Sequence, residues 1–201
     1  MNPLREITVN QSTQSAPRKP QLVCPAGSLR ALKTAVDAGA DAVYMGLKDS
    51  TNARNFAGLN FDHAQAREGI AYAHAKGAQV LMALNTFVDA REPERWWHAV
   101  DVAADIDADA LICADTAVLG YARDHHPQLR LHLSVQASAT TYEAIEFYRE
   151  RFGIRRAVLP RVLTLPQVGQ LCANTKAEIE VFGFGSLCVM VEGRCALSSY
   201  V

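Results

Sequence analysis

Residues 37–46, DAGADAVYMG, and residues 74–85, HAKGAQVLMALN, share one grammar. A helix end is followed by a glycine stop and then by a short apolar run of strand type. Glycine just past a helix relieves the left-handed residue that ends it, and the β-branched and apolar run that follows fits a buried strand. The unit recurs outward in both directions. Strands are expected at Leu22 to Pro25, Ala42 to Gly46, Gln79 to Asn85, Ala110 to Ala114, Leu131 to Val135, Ala157 to Pro160 and Glu178 to Phe182. Between them lie amphipathic stretches at Ser28 to Ala38, Asp62 to Lys76, Glu94 to Asp105, Thr116 to His125, Tyr142 to Arg151 and Leu165 to Asn174. Ser28 can cap the first helix, and Gly39, Gly77 and Gly153 stand where helices should stop.

Strand and helix in strict alternation make an α/β chain with a parallel sheet. The first strand-to-helix turn is CPAGS, which lacks the glycine fingerprint of a dinucleotide-binding sheet, so the closed (β/α) TIM-like barrel is the better reading. A complete barrel has eight strands and this pattern supplies about seven, so the barrel is expected to be incomplete. The domain reading is a disordered tail over 1–19, rich in Asn, Gln, Ser, Thr and Pro, and a barrel-like domain over 20–201. The chain closes on SSYV directly after an apolar-rich stretch, which leads us to expect a longer protein truncated at its carboxyl end.

Composition excludes several classes. Of 201 residues, 49% are apolar and 20% charged, too apolar for a disordered chain and too charged for a membrane bundle. Twenty Lys and Arg against 21 Asp and Glu give a net charge of −1, so no overall field draws the chain onto nucleic acid or anionic lipid. No apolar run has the length of a membrane span, and the amino terminus lacks a secretory core. The reading is therefore a cytoplasmic protein. Its five cysteines are thiols or metal ligands rather than a disulfide framework.

A barrel gathers its chemistry where strands end. There lie Lys48, Asn52, Arg54, Asn55 and Asn60 in one long loop with Phe56 and Phe61, then Asn85 with Thr86, Asp115, Ser134, Gln136 and Ser138, and Arg161. Two arginines among amides and hydroxyls suit a small carboxylate or phosphate, because guanidinium binds such groups bidentately. Arg54, Asn55, Asn85, Asp115, Gln136 and Arg161 are thus the candidate substrate-binding residues. The competing reading is that the same Asn, Asp and Ser side chains cap helices and tie down loops. Cys188 and Cys195 sit in a glycine-rich loop after the seventh strand. They are either soft-metal or iron-sulfur ligands or two unconnected thiols, and spacing alone leaves both open. Cys24, Cys113 and Cys172 are read as core. His132 falls inside a strand and the other histidines on helical stretches. Of the adjacent Trp96 and Trp97 at least one should be core.

Across 180–198, Glu180, Phe182, Gly185, Ser186, Leu187, Cys188, Gly193, Cys195, Leu197 and Ser198 resemble the hallmark of the collagenase-like peptidase family of unknown catalytic type. The opening 24–61, together with HLSVQAS and LPRVL, resembles especially its UbiU branch, which serves ubiquinone biosynthesis. The resemblance implies a barrel-like fold in an iron-sulfur protein that acts with a UbiV-like partner in oxygen-independent, anaerobic hydroxylation of a ubiquinone precursor. Other branches hydroxylate RNA bases, with prephenate as the oxygen donor. It also implies a 4Fe-4S cluster for which Cys188 and Cys195 match two of four ligands, an incomplete set in this chain. Three rivals stand beside the ubiquinone reading: an RNA base hydroxylase, a non-catalytic scaffold subunit, and, last, a peptidase, for which no nucleophile constellation stands out.

Overall fold

The computed structural model describes residues 19–185. Seven strands alternate with six helices: β1 Val23–Pro25, α1 Leu29–Asp37, β2 Ala42–Met45, α2 His63–Ala75, β3 Gln79–Leu84, α3 Glu94–Asp105, β4 Ala110–Cys113, α4 Thr116–His125, β5 Arg130–Leu133, α5 Tyr142–Phe152, β6 Arg156–Val158, α6 Leu165–Asn174 and β7 Glu178–Glu180. Every expected strand and helix is present, with the ends of the strands shifted by one or two residues into the adjoining loops.

The helix starts follow from local chemistry. The Ser28 hydroxyl accepts from the Ala31 amide at 3.2 Å, and Asp62 and Gln65 form a reciprocal capping box at the start of α2. Each cap satisfies amide groups that have no partner inside the helix. Gly39, Gly77 and Gly153 all have left-handed backbone, at φ 94°, 76° and 75°.

The strands form one sheet in the order β1 to β7, each parallel to its neighbours. The sheet curls into an incomplete TIM-like barrel with helices outside, and among the described residues no pairing joins β7 to β1. Strand side chains alternate between two surfaces. Val43, Met45, Val80, Met82, Leu84, Leu111, Cys113, Leu131, Leu133 and Ala157 face outward and pack under the helices in the main core. The alternate positions face the lumen, where Ala42, Leu81, Ala110 and Ile112 form a small second cluster against Val23 and Tyr44.

One expectation fails. Of the three cysteines assigned to the core, Cys113 is buried and Cys24 half-buried, but Cys172 is exposed. Leu171 is the buried residue of α6, and the next position turns about 100° away from it around the helix. Trp96 is core, and Trp97 is half-buried with its ring stacked on Tyr121 at 4.8 Å. Apart from Lys19, the expected tail over 1–19 lies outside the described residues, as do Cys188 and Cys195.

A candidate anion site at the barrel mouth

The loop from Leu47 to Phe61 is built around one arginine. Its ends are joined by a parallel bridge between Leu47 and Phe61, and the Phe61 ring is fully buried. Inside the loop the amides are spent on backbone. Asn52 Oδ1 accepts from the Arg54 amide at 3.1 Å, Asn60 Nδ2 donates to the Arg54 carbonyl at 2.7 Å, and Asn85 Oδ1 accepts from the Ala53 amide at 2.9 Å. Asn60 itself is held by its amide donating to the Gly27 carbonyl at 2.7 Å. Arg54 is therefore fixed on both sides of its backbone while its side chain stands exposed. Asn52 lies so close under β2 that a Cβ on Gly46 would meet it at 2.2 Å.

Below this loop Tyr44 points from β2 into the lumen, half-buried against Leu81 and Ala110. Burial raises its phenol, and the nearby Arg54, followed by Arg161, pulls the other way. Arg161 is half-buried just past β6, with its guanidinium 4.2 Å from the centre of the Phe182 ring. Glu180 on β7 completes the group, close enough to Tyr44 for its charge to act on it.

Arg54 on the loop after β2 and Arg161 just past β6 thus both stand at the strand-end mouth, where both favour the ionised form of the Tyr44 phenol, with Asn85 supporting the Arg54 loop. The other candidates are placed differently. Asn55 is exposed and lines an open cleft with Lys48 and Leu59. Asp115 caps α4 through the Ala117 amide at 2.6 Å, and its second oxygen accepts from the Val88 amide at 2.9 Å. Gln136 lies half-buried in a 3-10 turn, Val135–Ala137, after β5.

Beneath the mouth is a charged lumen wall that a search of strand ends passes over. Arg156 is buried, and its guanidinium donates to Glu178 at 2.8 and 2.9 Å, to Glu180 at 3.2 Å and to Gln21 at 2.5 Å. Arg130 pairs with Glu178 at 2.6 Å and donates through Nε to His132 Nε2 at 3.0 Å. That bond makes Nε2 the acceptor and assigns the ring proton to Nδ1. Nδ1 is buried with no hydrogen-bond partner among the described residues. Burial first, and then Arg156 and Arg130, push the His132 pKa down to about 3, so the ring is neutral. Burial raises the Glu180 carboxyl, against the pull of Arg156. The signal for this wall lies in the sequence as alternate polar residues in three strands, Arg130 with His132, Arg156, and Glu178 with Glu180.

The described cysteines do not fit an iron-sulfur cluster. Cys24 and Cys113 pack toward the helices and Cys172 faces solvent, and among the described residues no group of three His, Cys, Asp or Glu is placed to hold a metal. Burial and the Asp115 charge also raise the Cys113 thiol, which keeps it protonated and unreactive. Among the described residues no helix is long and apolar enough to cross a membrane.

Comparison with known proteins gives the site its context. Residues 27–201 match the model of Peptidase family U32. Over 186 residues the chain is 38% identical to an uncharacterized protease of Methanocaldococcus jannaschii, an alignment covering 90% of this chain and 44% of that protein. It is 34% identical over 185 residues to the tRNA hydroxylation protein P of Escherichia coli, covering 91% and 40%. A solved U32 peptidase superposes with a TM-score of 0.67 at 15% identity, over 85% of this chain and 71% of that one, a likeness of fold alone. The chain spans less than half the length of these two curated relatives.

Proposed function

Because this chain belongs to peptidase family U32, we propose that it forms the donor-binding barrel of a hydroxylase that works without molecular oxygen. The observation carrying the proposal is that two arginines, Arg54 in the loop after β2 and Arg161 just past β6 and stacked on Phe182, both stand at the strand-end mouth of the barrel. That positive mouth suits a small anionic oxygen donor such as prephenate, since guanidinium groups favour carboxylates. Hydroxylation as the family chemistry is supported by the name of the Escherichia coli relative. A peptidase role finds no support in the described residues, whose buried thiol and neutral lumen histidine lack the nucleophile and base arrangement that proteolysis needs.

The acceptor we favour is a ubiquinone precursor, with a UbiV-like subunit as partner. It rests on the resemblance of 24–61, HLSVQAS and LPRVL to that branch. Cys188 and Cys195 are then two ligands of a 4Fe-4S cluster that supplies electron transfer, in a segment outside the described residues. A second reading, hydroxylation of a tRNA base, is favoured by the relative just mentioned.

One experiment separates them. Cells lacking the intact gene are grown without oxygen, and their quinones and digested tRNA nucleosides are measured by mass spectrometry, with and without a plasmid copy carrying Cys188→Ser. Loss of ubiquinone that the mutant copy fails to restore supports the quinone reading and the cluster together. Normal ubiquinone with a missing hydroxylated nucleoside replaces it with the tRNA reading. If both are normal, the hydroxylase proposal falls.

A further inference from the structure

Of the chain's six histidines, four have partners. His74 pairs with Asp109, His126 pairs with Asp101, His132 accepts from Arg130, and His125 stacks on Tyr121. His63 and His98 face each other instead. They come from neighbouring helices, His63 from the first turn of α2 and His98 from α3, and their ring centroids lie 6.2 Å apart with the planes tilted by 47°. Both are exposed, and neither makes a hydrogen bond or an ion pair with a described residue. Two imidazoles held on separate elements with their nitrogens uncommitted are a ready pair of donors for a borderline metal ion. A divalent ion about 2.0–2.1 Å from one nitrogen of each ring stands about 3.2 Å from each centroid, so centroids up to about 6.4 Å apart can share it. The observed separation falls inside that span, and a small turn of either exposed ring bends the arrangement toward tetrahedral.

We propose that His63 and His98 form a two-histidine site for a divalent cation of the zinc type, with water filling the remaining positions. The surroundings support a cation there. Glu94 lies one turn before His98 on the same face of α3 and adds negative charge, while Arg67, one turn after His63, is neutralised by Asp105. His63 also lines an open cleft of about 480 Å³ with Lys48 and Asp62, which leaves room for the ion's water. No third protein ligand stands in place among the described residues, so the site is weaker than a structural zinc centre, with a Kd of about 1–100 μM. The bound ion ties the start of α2 to α3. Because α2 begins two residues after Phe61, the end of the Arg54 loop, this brace acts on the flank of the mouth.

The test resolves individual residues. The full-length protein is labelled with diethyl pyrocarbonate, which acylates accessible imidazoles, with and without Zn²⁺, and each histidine is quantified by peptide mass spectrometry. We expect His63 and His98 to be protected together, about tenfold when Zn²⁺ is at about ten times its Kd, while the exposed His125 labels as before. Mg²⁺ should protect neither, since it prefers oxygen ligands. In His98→Gln the protection of His63 should disappear, and in His63→Gln that of His98, with thermal melts of the metal-free variants unchanged because both side chains are exposed. Labelling unaffected by Zn²⁺ up to about 1 mM, equal protection by Mg²⁺, or His63 still protected in His98→Gln each overturns the site. The readout is confined to two imidazoles, so zinc taken up by thiols does not enter it, and the result stands apart from the quinone and nucleoside measurements.

Discussion

Asn60 combines two demands in one residue. Its backbone is left-handed at φ 71°, a region that asparagine tolerates better than most side chains. Its side chain holds the Arg54 carbonyl. Asn60→Ala loses both, and we expect about 1–3 kcal/mol of lost stability in urea melts, with a larger proportional loss of anion affinity because Arg54 is released. His132 gives a prediction about pH. Its folded pKa, about 3, lies below the ordinary value near 6.5, so the folded state binds fewer protons than the unfolded one. The stability tied to the neutral ring is complete above pH 6.5 and is lost as pH falls through the window down to 3. Urea melts between pH 6.5 and 4.5 should fall by up to about 1.4 kcal/mol per unit, and His132→Gln should flatten that slope. Glu146, held down to about 2 by Thr175 first and then by the Lys176 amide and Arg149, adds its own loss only below about pH 4.5 by the same rule. Residue types alone did not reveal any of this. Asn52, Asn60 and Asn85 read equally well as ligand contacts or loop ties, and only the register of the backbone shows that their amides are committed to it.

At the level of elements the sequence was far more legible. Ser28 and the glycine stops marked ends of α1, α2 and α5, the amphipathic stretches between strands located the other three, and α3, α4 and α6 match to the residue, because such signals act within a few residues of where they stand. The strands β5, β6 and β7 were found but their inner face was not read. Leu131, Leu133 and Ala157 mark an outward apolar stripe, and the polar residues between them look like solvent-facing positions until the sheet is curled and they line a lumen. Gly46 shows how tightly an element and a loop are joined. A Cβ there meets the Asn52 side chain at 2.2 Å, so Gly46→Ala must displace Asn52 and with it the Arg54 loop. We expect a loss of about 1–3 kcal/mol and weaker anion binding, with β2 itself retained in hydrogen exchange. The lumen-facing small residues Ala42 and Ala110 leave room above them for Tyr44.

For the whole molecule, Arg156 is the residue that gathers distant parts, joining β6, β7 and the approach to β1 through Glu178, Glu180 and Gln21. Arg156→Ala leaves Glu178 and Glu180 facing each other without their shared cation. We expect about 3–5 kcal/mol of destabilisation, measured by chemical denaturation, with partial recovery in Arg156→Ala/Glu180→Gln. The barrel class was evident from the recurrence of one unit, whereas this clasp was not, since nothing local connects Gln21 to a residue 135 positions away.

The strictly sequential strand order has a consequence for how the protein is made. Each strand's partner is the one synthesised just before it, so the sheet can lengthen one unit at a time as the chain leaves the ribosome, at about 5–20 residues each second. No early strand has to wait for a late one to pair. The clasp between Arg156 and Gln21 is the exception, and it closes only after six of the seven strands have emerged, like a latch set on a structure already standing.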